Sequence, residues 1–169
     1  MSYNNIFDKK SYDEVDKKTK EAVISLFNKL NPGYLIIENK DEYGVDLIVY
    51  QDKVPLCYLE VEHVRPWIDK QYPYKEVRLF TRKEHFLHGK DACVHSSCKS
   101  SSPFSCKELP HGPLPVLFCL VNYNYTRCLV YSSKDVKSMT RRIVPSRSGP
   151  EEMIFLPMDI CSFLSMDKS

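Results

Sequence analysis

Apolar residues recur every three or four positions near the start of the chain, between residues 11 and 30. This spacing predicts an amphipathic helix. The sequence Asn31-Pro32-Gly33 follows, and proline and glycine end a helix at such a point. Beyond it, short runs rich in β-branched and aromatic residues predict strands at 34–38, 45–50, 56–62, 77–80, 116–121, 127–131 and 151–156.

Two other stretches predict short helical segments, at 81–87 and at 135–142. Strands that alternate with helices in this order are typical of an α/β protein. No linker divides the chain, so the pattern predicts one domain over 1–169, with a central mixed β-sheet flanked by helices. A polar, Cys- and His-rich stretch at about 88–114 is predicted to be an insertion in that domain.

Composition excludes several classes of protein. The chain has 169 residues, 43% of them hydrophobic and 27% charged, as expected for one globular domain. No run approaches the roughly 18 apolar residues of a membrane-spanning helix, so no membrane partner is predicted. The N-terminus lacks the apolar stretch of a secretory signal, and seven Cys is an odd number. We therefore expect an intracellular, reducing compartment, cytoplasm or nucleus, rather than a disulfide framework.

Charge is distributed unevenly along the chain, although the net charge is only +2. Residues 1–62 carry a net charge of −4, residues 63–107 of +5, residues 108–149 of +4 and residues 150–169 of −3. This pattern fits a carboxylate site for a cation beside a surface that binds phosphate. Ordinary solvated charge is the alternative interpretation.

Three carboxylates interrupt two apolar strands that follow each other. Asp46 lies early in one strand, and Glu60 and Glu62 lie late in the next and share a face. A three-residue loop between the strands would place Asp46 opposite Glu60, and a longer odd loop opposite Glu62. An even loop would place it opposite Leu59 or Val61, on the core face.

Carboxylates gathered in this way repel one another, so one takes up a proton or a cation neutralises them. Mg²⁺ or Mn²⁺ suits a site made of oxygen ligands. Such an ion activates water and stabilises the charge that develops as a phosphodiester is hydrolysed. The alternative is that these residues are solvated ends of strands on a polar face.

The pattern Gly44-x-Asp46, a hairpin, then Glu60-x-Glu62 resembles the PD-(D/E)xK nuclease superfamily. The resemblance implies a restriction-endonuclease-like fold, with a divalent metal held by Asp46, Glu60 and the backbone carbonyl of Val61. It also implies a Mg²⁺- or Mn²⁺-dependent hydrolase of phosphodiester bonds, for which we favour an endonuclease acting on DNA over one acting on RNA. Many similar nucleases act as dimers, which leaves a homodimer open.

Two positions depart from the family pattern. Val45 stands where the first motif has proline, which is a common change, and Glu62 stands where the second motif has lysine. Either Glu62 acts as a general base or a second-metal ligand, or a lysine arrives from elsewhere. Our candidates are Lys83, to orient the attacking water, and Arg82, to hold the scissile phosphate. Superfamily members that lack motif residues include inactive ones, so a binding module for nucleic acid or protein is the alternative function.

A possible zinc site is suggested by four residues of the polar insertion. Cys93, Cys98, Cys106 and His111 would supply a Cys₃His set for structural Zn²⁺. Their spacing lacks the close Cys-x2-Cys pair of many zinc sites. A loop with incidental thiols is the alternative.

Basic and aromatic residues interleave after the carboxylate strands. Arg65, Trp67, Lys75 and Arg78 suit a nucleic-acid surface that combines phosphate contacts with stacking. The alternative is that the aromatic residues anchor a loop to the core.

Overall fold

Nine strands and one α-helix make up the computed structural model, which describes residues 8–40, 44–88, 114–146 and 149–166. Helix α1 spans Lys9–Leu30 and comes first. The strands are β1 Tyr34–Glu38, β2 Leu47–Gln51, β3 Val54–Val64, β4 Glu76–Phe80, β5 Val116–Asn122, β6 Arg127–Ser132, β7 Thr140–Ser146, β8 Gly149–Pro157 and β9 Ser162–Ser165. Three-residue 3₁₀ turns lie at Ser133–Asp135 and Met158–Ile160, and a longer 3₁₀ segment spans Thr81–His88.

Six of the strands form a mixed sheet in the order β1-β2-β3-β5-β6-β9. β3 and β5 run parallel, and every other neighbouring pair is antiparallel. A parallel pair requires the chain to cross from one end of the sheet to the other. The crossover here contains β4 and the 3₁₀ segment, and Lys83 of that segment contacts Glu60 and Glu62 of β3.

Helix α1 covers one face of the six-stranded sheet. The helix presents Val23, Leu26 and Phe27, each at most 7% exposed, to that face. Their spacing of three and four places them on one side of the helix. They pack against the sheet residues Leu47, Val49, Leu59, Val61, Cys119, Val121 and Cys128.

A second, three-stranded antiparallel sheet covers the opposite face, in the order β4-β8-β7. On β4 and β8 the inward residues Val77, Ile154 and Leu156 are fully buried. They share a core with Ile48, Tyr58, Phe118, Leu120, Leu129 and Tyr131 of the large sheet. The α/β class and the mixed sheet are therefore confirmed. The expectation of helices on both sides was wrong, because a sheet takes that place.

The helix predicted at 135–142 was also wrong. The side chain of Ser132 accepts a hydrogen bond from the backbone N–H of Lys134 and caps a single 3₁₀ turn. From Thr140 onward the chain is extended and pairs with β8. The hydrogen bonds of an antiparallel partner, together with the β-branched pair Ile143 and Val144, outweigh a weak local helical preference.

The hairpin between β2 and β3 turns on two residues. Asp52 and Lys53 both adopt positive φ, 51° and 66°. Two consecutive positive φ values are typical of a type I′ hairpin turn. An even loop of this kind, taken alone, would place Asp46 opposite Leu59 and aim its carboxylate at the core.

A β-bulge corrects that register. Leu56 pairs with no residue of β2, at the point where the register shifts. Beyond this extra residue Leu47 pairs with Leu59, so Asp46 comes opposite Glu60. The bulge therefore brings the two acidic residues of the motif together.

Two further expectations concern the membrane and the thiols. Among the described residues, no helix combines the length and the apolar character needed to cross a membrane. Cys57, Cys119, Cys128 and Cys161 are free thiols. Cys119 and Cys128 are fully buried, as small core residues.

Replacing Lys53 by Gly should stabilise the hairpin turn. At positive φ a residue with a side chain has a higher conformational energy than glycine. This difference outweighs the larger conformational entropy that glycine gives the unfolded chain. We expect Lys53→Gly to raise the free energy of unfolding by about 0.5 kcal/mol, measured by urea denaturation. Lys70→Gly, at a position without positive φ, serves as the control and should lower stability. A loss of stability in Lys53→Gly equal to that of the control would contradict the assigned turn.

Candidate functional site

Asp46 lies beside Glu60 where β2 begins and β3 nears its end, and Glu62 follows two residues later on β3. Asp46 directly precedes β2, and its Oδ2 accepts a hydrogen bond of 2.7 Å from the backbone N–H of Val61. Glu60 is buried, with 6% of its surface exposed, and the side chain of Glu62 is 30% exposed. The hydrogen bond from Val61 fixes the Asp46 carboxylate at the edge of β3, beside Glu60.

Lys83 lies against these carboxylates. It comes from the 3₁₀ segment Thr81–His88. Its Nζ lies 2.9 Å from Oε1 of Glu60 and 3.5 Å from Oε2 of Glu62. The side chain of Lys83 is only 16% exposed. The crossover between β3 and β5 therefore brings a lysine against both glutamates of β3.

A second lysine, Lys20, reaches the site from helix α1. Its Nζ lies 2.8 Å from Oδ2 of Asp16, 3.2 Å from Oε1 of Glu38 and 3.5 Å from Oδ1 of Asp46. Like Lys83, its side chain is 16% exposed. Each oxygen of Asp46 thus has a partner, one from the helix and one from the backbone of β3.

Burial dominates the acidity of the two motif carboxylates. Burial raises the pKa of Glu60 to about 7, although the ammonium of Lys83 opposes this shift. Burial also raises the pKa of Asp46, against the opposing effects of the Val61 N–H and of Lys20. Near neutral pH the site therefore holds protons more tightly than exposed carboxylates would.

The two lysines remain charged despite burial. Burial alone would lower the pKa of Lys83, but the charges of Glu60 and Glu62 outweigh it and raise the pKa. For Lys20 burial is again outweighed, first by the hydrogen bond to Asp16 and then by the charge of Asp46. Two ammonium groups therefore face the three carboxylates of the motif.

The site retains acceptor capacity for a cation. Oε2 of Glu60 is buried and has no hydrogen-bond partner among the described residues. A buried carboxylate oxygen left in this state is costly unless a donor or a metal ion satisfies it. In the described ranges no three side chains of His, Cys, Asp or Glu gather as a ready metal-binding group. A divalent ion here would need Asp46, Glu60 and a backbone oxygen, as the resemblance implies for Val61.

The structure separates Arg82 from its neighbour Lys83. The Arg82 side chain is exposed, and its guanidinium carbon lies 4.9 Å from the centre of the Phe80 ring. Successive residues of the 3₁₀ segment point in different directions, so only Lys83 reaches the carboxylates. Arg82 does not contact them.

The expected nucleic-acid surface is only partly exposed. Trp67 is fully buried and packs edge-on against Tyr72 at 5.3 Å, so it anchors its loop to the core and presents no ring for stacking. Arg65, Lys75 and Arg78 are exposed. The zinc set Cys93, Cys98, Cys106 and His111 lies outside the described residues.

Sequence reasoning missed Asp16 and Lys20. At about 100° per residue, Asp16 falls within the arc of the buried helix residues Thr19, Val23 and Phe27, and Lys20 falls at its edge. An acidic residue inside an apolar stripe, with a lysine one turn later, was the available signal. A charged residue on the packed face of a helix indicates that an oppositely charged group lies close to it in the fold.

The chain was compared with known proteins. No family model matches it, and neither a curated protein nor a solved structure matches it. Its geometry is therefore the basis on which a function is inferred.

The raised pKa of Glu60 has a consequence for stability. The folded chain binds this proton more tightly than the unfolded chain, whose carboxyl titrates near 4.5. The stabilisation is complete below that pH and is lost as the pH rises through about 7. Between pH 4.5 and 8 we therefore expect wild-type stability to fall by about 3 kcal/mol relative to Glu60→Gln, measured by urea denaturation.

Glu21→Gln is the matched control, because Glu21 lies on the exposed side of α1 with its side chain 62% exposed. Its stability should follow the wild type at each pH. Parallel pH profiles for wild type and Glu60→Gln would contradict a buried, titrating Glu60.

Proposed function

We propose that this protein is a metal-dependent nuclease that hydrolyses phosphodiester bonds, with DNA favoured as the substrate. The observation that carries the proposal is the hydrogen bond of Asp46 to the Val61 N–H, next to Glu60 on β3, with Lys83 at 2.9 Å from Glu60. The resemblance in sequence requires these residues to meet. They lie together because of a β-bulge and a crossover segment, and no pattern in the sequence predicted this arrangement.

Asp46, Glu60 and the backbone carbonyl of Val61 would hold Mg²⁺ or Mn²⁺. The unpartnered oxygen of Glu60 and the all-oxygen character of the set fit these hard cations. When bound, the ion neutralises charge on the phosphate and lowers the pKa of a water molecule. The Val61 N–H, by holding Asp46 at 2.7 Å, fixes one ligand in advance.

Glu62 would accept a proton, and Lys83 would stabilise negative charge. Glu62 is the more exposed of the two β3 carboxylates, so it is placed to take a proton from the attacking water. Lys83 holds both glutamates in position and supplies a permanent positive charge beside the phosphate that is attacked. It therefore takes the part that the motif lysine plays in similar nucleases.

The fold supports the same proposal. Asp46 and Glu60 belong to a unit that begins with helix α1 and the antiparallel strands β1, β2 and β3. A crossover then leads to β5, which runs parallel with β3. We propose that this is a restriction-endonuclease-like core, to which β6 and β9 are added at one edge. The intracellular location and a homodimer remain predictions from sequence.

One observation favours a second function, a nuclease-like binding module without catalysis. The ammonium of Lys83 lies 2.9 Å from Glu60 and 3.5 Å from Glu62, so it already partners both β3 carboxylates. An ammonium in this position competes with a divalent cation for the same oxygens. Binding of nucleic acid that persists in EDTA, with no cleavage in Mg²⁺ or Mn²⁺, is the signature of this alternative.

A plasmid-nicking assay tests the catalytic proposal. With Mn²⁺ or Mg²⁺ we expect the wild-type protein to convert supercoiled plasmid to nicked or linear DNA. Asp46→Ala and Glu60→Ala should lower the rate by roughly a hundredfold or more, because each removes charge stabilisation at the phosphate.

Glu21→Ala, on the outer side of α1, is the control and should cleave like the wild type. Circular dichroism spectra must show that all variants are folded. Equal rates for wild type and both site variants would attribute the cleavage to a contaminant and reject the assignment.

A further inference from the structure

Arginine and aromatic side chains alternate on the outer face of the three-stranded sheet. Val77 and Leu79 of β4 point into the core. Residues between and beside them, Arg78 and Phe80, therefore lie on the other face. Phe155 of β8 pairs with Arg78 and lies on that same outer face.

The guanidinium groups of Arg78 and Arg142 lie over aromatic rings. The guanidinium carbon of Arg78 lies 3.7 Å from the centre of the Tyr74 ring and 5.9 Å from that of Phe155. Arg142 of β7 lies over Phe155 from the other side, at 3.7 Å. Phe155 is 6% exposed although it faces outward, because these side chains cover it. Such contacts fix the plane of each guanidinium.

Arg82 extends this array towards the candidate site. Its guanidinium covers Phe80 at 4.9 Å, and the next residue is Lys83, which contacts Glu60. The same 3₁₀ segment thus presents one cation to the outer face and one to the carboxylates. We call Arg78, Arg82 and Arg142 the arginine face.

The charge of the arginine face is only partly compensated. Arg142 binds the carboxylate of Glu76. Arg78 and Arg82 are exposed, and no carboxylate of the described ranges forms an ion pair with either of them. Two planar donors, held in place by rings beneath them, therefore keep their N–H edges towards solvent. This arrangement suits bidentate binding of phosphate oxygens.

We propose that the arginine face binds the phosphate backbone of nucleic acid. Charge complementarity selects this partner, since a regularly charged polyanion matches several cations on one flat sheet face. Because the guanidinium groups are already ordered, little side-chain entropy is lost on binding. The proposal rests on the proposed function only for the kind of ligand, and the binding requires neither a metal ion nor cleavage.

The test measures binding without catalysis. Fluorescence anisotropy with a labelled 20-bp DNA duplex, in EDTA, compares wild type with the double variant Arg78→Gln/Arg82→Gln. We expect the double variant to bind roughly tenfold more weakly. The slope of log K against log salt should become shallower by about 2, since two phosphate contacts are removed. Lys9→Gln/Lys17→Gln removes the same charge from the exposed side of α1 and should change affinity less than about twofold.

The single variant Arg78→Lys separates geometry from charge. It keeps the charge but loses the planar fork, so its affinity should lie between those of wild type and Arg78→Gln. An equal loss in the Arg78→Gln/Arg82→Gln and Lys9→Gln/Lys17→Gln proteins would overturn the proposal. So would displacement of the duplex by polyglutamate as effectively as by unlabelled DNA of equal charge, which would indicate an acidic protein as the partner. Cleavage that fails while this binding is intact rejects only the catalytic function.

Discussion

Compensation of buried carboxylates by two lysines is the interaction on which the arrangement of layers depends. Asp46 and Glu60 can both be ionised beside each other at the sheet only if positive charge accompanies them. Lys20 brings that charge from helix α1, on one face of the sheet. Lys83 brings positive charge from the 3₁₀ segment that follows β4, a strand of the second sheet. Both layers are thereby tied to the same point of the central sheet.

The same arrangement is compatible with the proposed divalent cation. Lys20 is shared among three carboxylates, so it would retain Asp16 and Glu38 if a divalent cation took its place at Asp46. Lys83 contacts one oxygen of Glu60, and the other oxygen has no hydrogen-bond partner among the described residues. A cation bound there would satisfy that buried oxygen.

Local patterns in the sequence predicted most of the strands and the first helix. Alternation of β-branched residues gave β1 to β6 and β8 close to their observed positions, because side-chain burial on a pleated sheet follows local order. Neither β7 nor β9 was predicted as a strand. The start of β7 was taken as part of a helix at 135–142, whereas its residues pair with the next strand, β8. β9 becomes a strand by pairing with β6, about 30 residues earlier in the chain. The same limit applied to the second sheet, which stands where a helix was expected.

The carboxylates of the strands and Lys83 were predictable as site residues, whereas Asp16, Lys20 and the assembly of the site were not. The pattern of Asp46, Glu60 and Glu62 indicated a shared site, and Lys83 was a candidate for the missing lysine. The register depended on a bulge at Leu56 that no local signal marks. Arg82 was assigned from its place beside Lys83 after a predicted strand, and Trp67 from the interleaving of basic and aromatic residues. Three-dimensional packing decides which way such side chains point.

Binding of Mn²⁺ by the metal-free protein tests the central claim most directly. Electron paramagnetic resonance reports free Mn²⁺, so a titration measures binding without reference to activity. We expect one Mn²⁺ per chain in the wild type and affinity reduced about tenfold or more in Asp46→Asn. Asp13→Asn, an exposed change on α1, should bind as the wild type does. No bound Mn²⁺ in the wild type, or equal affinity in Asp46→Asn, would contradict a divalent-cation site at Asp46 and Glu60.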